Sequence, residues 1–342
     1  MELTACQAPT PSHLKQIYKL PCYSKQAIFK YRQTLSSLSH KDTTLVIILG
    51  PCSIHHEQSF FEYANKIACL QQEISSKILL VCRAYIEKPR SGFSWKGYLH
   101  QPHPHLPPCY TTGLHASRKL LVECAKLNIP LAMEFLDPFF YYYFDDLISW
   151  GCIGARNSAS QPHRQLAALS SFPLGFKNTV EGSIETAIHG MAVSLQHQPV
   201  AGINQQGQLA FFEAAGNPSP YLVLRGSKLN TNYDQTSIMS AYEHLQSQHL
   251  PPKIIVDCSH DNSKKDLDKQ EKIFKELVYK KLSGELPIIG VMLESFLKEG
   301  SQKISCSIDP FVSITDPCLS WETTRSLVLW SSALFEREKI FV

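Results

Sequence analysis

Short runs of Val, Ile and Leu recur along the chain, and between them apolar residues return every three or four positions. The runs read LVIILG at 45–50, ILLVCR at 78–83, LAMEF at 131–135 and CIGAR at 152–156. LGFK at 174–177, YLVLRG at 221–226, KIIVDCSH at 253–260 and IIGVMLES at 288–295 follow. Near-continuous hydrophobicity is what parallel strands need when both faces of their sheet are covered. The intervening stretches, such as SFFEYANKIACLQQEI and SRKLLVECAKLN, have the period of amphipathic helices, and TTRSLVLWSSALFER follows the last strand. Eight strand–helix units predict an α/β fold, a TIM (β/α)8 barrel. Residues 1–43 form a short N-terminal extension, 44–342 the barrel, and an inserted segment precedes the sixth strand.

Each strand finishes on a residue capable of chemistry. In order these are Cys52, Arg83, Glu134, Arg156, Lys177, Arg225, His260 and Glu294. In a parallel barrel the C-terminal ends of all strands face one pocket, so these side chains should converge. One strand-end arginine is usually a solvated charge. Eight such residues in one ring read as a site.

Composition narrows the function classes. A length of 342 residues suits one large barrel, and 44% hydrophobic residues can fill its core. Charged residues make up 18%, below the roughly 25% usual in soluble domains. A net charge of +3 is too mild to draw nucleic acid or an anionic membrane surface. No run of about 18 apolar residues is present to span a membrane, and the start lacks the pattern of a secretion signal. Eleven cysteines without a C-x-x-C pair argue against a disulfide framework and for a reducing cytoplasm.

Two chemistries share the ring. Cys52, His260 and Glu294 make a mixed S/N/O donor set, which suits a divalent transition metal better than Mg or Ca. Asp257, within its strand, and Asp316, in the last connection, are both candidates for the fourth ligand. The second group is cationic: Arg83, Lys88, Arg90, Lys96, Arg156, Lys177 and Arg225. Packing so many cations together is costly unless anions neutralise them, so the pocket calls for phosphorylated and carboxylated small molecules. A metal beside phosphate clamps points to Lewis-acid activation of a carbonyl. Neither a P-loop nor a G-x-G-x-x-G motif is present, so nothing supports nucleotide binding.

From about residue 11 to 335 the sequence resembles the class I 3-deoxy-D-arabino-heptulosonate 7-phosphate (DAHP) synthases. The resemblance is carried by GPCSIH at 50–55, EKPRSGFSWKG at 87–97, EFLD at 134–137 and WGCIGAR at 150–156. GFKN at 175–178, LRG at 224–226, SHDNSKK at 259–265, IIGVMLES at 288–295 and SITD at 313–316 continue it in order. It implies condensation of phosphoenolpyruvate with erythrose 4-phosphate, the entry step of the shikimate pathway to the aromatic amino acids. By motif match the metal ligands are Cys52, His260, Glu294 and Asp316, for Mn, Fe, Co or Zn. Arg83, Lys88, Lys96, Glu134, Arg156, Lys177 and Arg225 bind substrate, with Arg90 and Ser91 on the aldose phosphate. Catalytic work falls to Lys88, Glu134 and His260. A lysine among cations should have a lowered pKa, which would let Lys88 protonate the new alkoxide. The resemblance also implies a homodimer or homotetramer.

Some positions depart from the family pattern. Ser91 stands for a usual Thr, NSAS at 157–160 for Thr-Thr-Glu-Ser, and Phe296 for a common His. The rings of FFYYYF at 139–144 either pack the outer layer on the barrel or occupy the effector pocket of relatives. The rival readings are a related phosphoenolpyruvate-dependent synthase using arabinose 5-phosphate, and a regulatory barrel that has lost catalysis. The first carries Lys-Ala-Asn-Arg where this chain has Lys88-Pro89-Arg90-Ser91. The second should have shed the metal ligands, and all four are present.

Overall fold

The computed structural model describes residues 7–337 apart from Ser91 and Phe93. Two helices, α1 (Pro11–Ile17) and α2 (Cys22–Ser37), come first. The barrel follows with β1 (Leu45–Gly50), α3 (Glu57–Glu73), β2 (Ile78–Arg83), α4 (Tyr110–Lys126) and β3 (Leu131–Glu134). A 3-10 turn (Pro138–Phe140) and the short α5 (Tyr141–Phe144) lead to β4 (Trp150–Ile153), α6 (Gln161–Leu169), β5 (Leu174–Lys177) and α7 (Glu185–Ser194). Next come β6 (Gln198–Ile203), β7 (Leu209–Ala214), β8 (Pro220–Leu224), α8 (Gln235–Ser247) and β9 (Ile254–Asp257). The last elements are α9 (His260–Ser263), α10 (Leu267–Leu282), β10 (Gly290–Glu294) and α11 (Trp321–Arg337).

Eight of the strands close a parallel barrel in the order β1-β10-β9-β8-β5-β4-β3-β2. The expected TIM barrel is therefore present, and the inserted segment is the antiparallel hairpin β6–β7, lying outside it. Exposure alternates along β7, with Leu209 and Phe211 exposed, so the hairpin is not covered on both faces as the barrel strands are. The strand expected at 152–156 is found at Trp150–Ile153. Gly154, Ala155 and Arg156 have already left the ladder for the loop above it.

Strand alternation splits the core in two. Val46, Ile48, Val81, Ala132, Trp150, Tyr221, Val223, Ile255 and Met292 pack together in one cluster, while Leu45, Ile47, Leu49, Leu80 and Leu293 join the larger cluster with the helices. Leu35 and Leu38, at the end of α2, belong to the first cluster. The Tyr221 hydroxyl donates to the Leu35 carbonyl and the Lys253 ammonium to that of Ser36, fixing the helix end there. Tyr221 and Lys253 lie at the N-terminal ends of their strands, so α2 closes that end of the barrel. The register sets Gly50 opposite Glu294 and Glu134 opposite Cys152, which brings strand ends level at the other rim.

The aromatic run at 139–144 divides its work. Tyr141, Tyr143 and Phe144 are buried, with Tyr141 against Phe135 and Phe172. Phe139, Tyr141 and Tyr142 also wall an apolar cavity of about 400 Å³ beneath the hairpin.

Candidate active site

Three of the expected metal ligands meet at the rim. The Cys52 thiol and carboxylate oxygens of Glu294 and Asp316 lie within 4.8 Å of one another. Cys52 and Asp316 are 3.4 Å apart, Sγ to Oδ2. His260 stands at the edge of this set, its Nε2 3.5 Å from Glu294 Oε1. The backbone there is unusual: His260, Lys264 and Lys265 all have positive φ, a conformation costing about 1–2 kcal/mol for a side-chain-bearing residue. A soft sulfur, an imidazole and two carboxylates on one side of a buried rim fit a divalent transition metal.

Electrostatics at this set are strongly coupled. Burial pushes the Cys52 thiol up to about 12, with Glu294 acting in the same direction. Lys88 Nζ donates to Cys52 Sγ at 2.7 Å and to Asp316 Oδ2 at 2.8 Å. Burial alone would lower this lysine, but Cys52, Asp316 and Glu294 together raise it above its ordinary value. The expectation of a lowered Lys88 is thus reversed, because the groups nearest it are acidic ones, Cys52, Asp316 and Glu294, and not the other cations. For Asp316, burial acts upward, but Lys88 and Lys265 outweigh it and hold the carboxyl well below the usual range. Lys265 Nζ donates to Asp316 Oδ1 at 2.7 Å.

Beside the set opens a cavity of about 240 Å³. Arg83, Lys88, Arg90, Arg156, Lys177, Arg225, Lys228 and Lys265 line it, with Glu134, Asp261, Asp316 and His260. Arg83 is anchored by donating from Nη2 to Glu294 Oε1 at 2.9 Å, and its guanidinium lies 4.0 Å from the centre of the Tyr85 ring. Arg225 pairs with Asp261, and Arg90 Nε donates to the Trp95 carbonyl at 3.0 Å. Glu134, buried at the end of β3, rests on Gly154: a Cβ there would lie 2.0 Å from Glu134 Oε1. A side chain at 154 would push that carboxylate aside.

Most of the residues expected from sequence are therefore gathered at one mouth. Lys96 is not. Its side chain is exposed and absent from the cavity wall, and what it offers the site is its carbonyl, which accepts from the Lys88 N–H at 2.9 Å. Ser91 lies outside the described residues. Lys228, Asp261 and Lys265 line the cavity without having been singled out. The signal for them was position, since each stands one to five residues beyond a strand-end residue already chosen. Asp257 takes no place in the metal set: its Oδ2 lies 2.8 Å from His260 Nδ1 and 3.2 Å from Lys177 Nζ.

The model of the DAHP synthetase I family matches residues 28–328. The chain is 39% identical over 323 residues to the Tyr-sensitive phospho-2-dehydro-3-deoxyheptonate aldolase of Escherichia coli K12, covering 93% of this chain and 90% of that protein. It is 36% identical to the Trp-sensitive enzyme of the same organism, over 93% of this chain and 92% of that one. The tyrosine-inhibited enzyme of Schizosaccharomyces pombe is 34% identical, over 89% and 84%. Among solved structures, phospho-2-dehydro-3-deoxyheptonate aldolase from Francisella tularensis SCHU S4 superposes with a TM-score of 0.94 at 30% identity, over 97% of this chain and 98% of that one.

Proposed function

The chain belongs to the DAHP synthetase I family, and we propose from that premise that its barrel mouth condenses phosphoenolpyruvate with erythrose 4-phosphate and water, giving DAHP and phosphate. It is a transferase of the shikimate pathway, acting in aromatic amino-acid biosynthesis. One observation carries the reading: eight Arg and Lys side chains and Glu134 surround a single cavity that adjoins Cys52, Glu294 and Asp316.

Arg83, Arg156, Lys177 and Arg225 hold the phosphate and carboxylate of phosphoenolpyruvate, while Arg90 and Ser91 hold the phosphate of erythrose 4-phosphate. Gripping both substrates by their anionic ends supplies the orientation that a bimolecular carbon–carbon bond needs. A divalent transition metal held by Cys52, His260, Glu294 and Asp316 would supply Lewis-acid polarisation of the aldehyde oxygen. The methylene carbon of the enol phosphate attacks the aldehyde carbon, and Lys88, kept as an ammonium, delivers a proton to the resulting alkoxide. Positive charge develops at the enol carbon bearing the phosphate. Water adds to that carbon with Glu134 taking its proton, and phosphate leaves from the tetrahedral centre.

Residues 1–43 are the extension in this proposal and 44–342 the catalytic barrel, assembled as a homodimer or homotetramer in the cytoplasm. Every cysteine among the described residues is a free thiol, in keeping with a reducing compartment. Among the described residues no helix is long and apolar enough to cross a membrane. The test is consumption of phosphoenolpyruvate by purified protein supplied with Mn²⁺ and either erythrose 4-phosphate or arabinose 5-phosphate. Turnover with erythrose 4-phosphate alone is expected. Preference for arabinose 5-phosphate would reassign the protein to the related synthase, and turnover with neither would make it a regulatory barrel.

A further inference from the structure

Asp257, the last residue of β9, is wholly buried between the two halves of the site. Its Oδ2 lies 2.8 Å from His260 Nδ1 on one side and 3.2 Å from Lys177 Nζ on the other. Its Oδ1 accepts from the Ser259 hydroxyl at 2.7 Å and the Ser259 backbone N–H at 3.1 Å. Ser259 Oγ is itself 2.9 Å from His260 Nδ1. Because the Ser259 hydroxyl gives its proton to Asp257 Oδ1, it accepts from His260 Nδ1, which assigns the imidazole proton to Nδ1 with the Asp257 Oδ2 charge beside it and leaves the Nε2 lone pair on the side of Glu294. On its other side the same carboxylate forms an ion pair with the Lys177 ammonium, which lines the substrate cavity.

We propose that Asp257 is a positioning residue shared by the two halves: it fixes the ring of His260 for the metal and the ammonium of Lys177 for the anionic substrate. The proposal rests on the assignment of His260 and Lys177 made above. A carboxylate behind a ligating imidazole is a general device for raising ligand basicity and fixing ring orientation. What is particular here is that one oxygen serves a ligand and a clamp together. Asp257 therefore governs metal affinity and phosphoenolpyruvate affinity, and leaves the erythrose 4-phosphate end alone. A carboxylate that only balanced buried charge would lower stability without sorting the two substrates.

The test compares wild type with Asp257→Asn, which keeps the shape and removes the charge. Calorimetric titration of chelator-stripped protein with Mn²⁺ should show affinity weakened about 10–100-fold. At saturating Mn²⁺ the KM for phosphoenolpyruvate should rise on the order of 10-fold, the loss of one charge-assisted contact, with the KM for erythrose 4-phosphate unchanged. Ser259→Ala, which removes the hydroxyl that holds the carboxylate, should move both quantities in the same direction by smaller factors. It carries the comparison should Asp257→Asn not fold. Unchanged Mn²⁺ affinity, an effect on only one half, or equal rises in both KM values would overturn the proposal. Absence of turnover in wild type would instead strike the assigned reaction, and the Mn²⁺ titration would still report on Asp257 and His260.

Discussion

Two residues past the fully buried β1 stands the Cys52 thiol, whose surroundings oppose ionisation, since burial raises it and Glu294 adds to the effect. The Lys88 ammonium beside it does not offset this, whereas metal coordination deprotonates a thiol outright. Cys52→Ala should accordingly fold with an unfolding midpoint close to wild type and bind little metal, checked by thermal denaturation and by metal analysis after dialysis. The cations answer to a different readout. Arg156→Ala or Lys177→Ala should raise the KM for phosphoenolpyruvate 10-fold or more, from a loss of about 1.5–3 kcal/mol per charged hydrogen bond. Arg90→Ala should raise the KM for erythrose 4-phosphate instead, and steady-state kinetics with each substrate varied would expose a swap of the two clamps. At Gly154 an added methyl would lie 2.0 Å from Glu134 Oε1, so Gly154→Ala should displace that carboxylate and lower kcat at least 10-fold. A kcat within twofold of wild type would remove Glu134 from the water-addition step. Two residue-scale readings went astray for related reasons. Lys96 shares a contiguous motif with Lys88, yet the loop returns only its carbonyl to the site. Lys88 looked like one cation among many, but its nearest neighbours are the Asp316 carboxylate and the Cys52 sulfur, brought from distant parts of the chain. Sequence adjacency conveyed neither fact.

The elements divide by how much of their burial is local. Strands covered on both faces, such as β1, declare themselves as apolar runs, and LVIILG was legible to the residue. The hairpin β6–β7 pairs at the surface and alternates, so it could be sensed as an insertion but not as strands. Ends of strands were harder: Trp150 and Gly151 belong to β4 while Ala155 and Arg156 do not, because the ladder to β5 runs from Gly151 to Ile153. The role of α2 was not legible at all, since nothing local says that Leu35 and Leu38 join the inner barrel cluster. That role has its own prediction. Leu35→Ala should destabilise the protein by about 2–5 kcal/mol, the usual cost of truncating a buried leucine, while leaving both KM values unchanged. Urea unfolding alongside kinetics measures both, and altered KM values would mean that the closed end communicates with the mouth.

Across the whole molecule, parallel strands converge so that residues 52 to 316, far apart in sequence, share one cavity and one donor set. The ring of strand ends foretold that convergence, because the fold alone fixes which ends meet. Between Asp257 and Asp316 the residues alone left the choice open and the resemblance named Asp316; that Asp316 stands beside Cys52 and Asp257 behind His260 depends on side-chain directions that only the assembled barrel sets. In the proposed reaction this mouth joins two phosphorylated substrates with the help of a metal at Cys52, His260, Glu294 and Asp316. Its most direct test is phosphate release from phosphoenolpyruvate by chelator-treated protein, before and after Mn²⁺ is restored, with and without erythrose 4-phosphate. One phosphate per phosphoenolpyruvate consumed is expected, only when both Mn²⁺ and erythrose 4-phosphate are present. Full turnover in metal-free buffer, or phosphate release that ignores erythrose 4-phosphate, would contradict it.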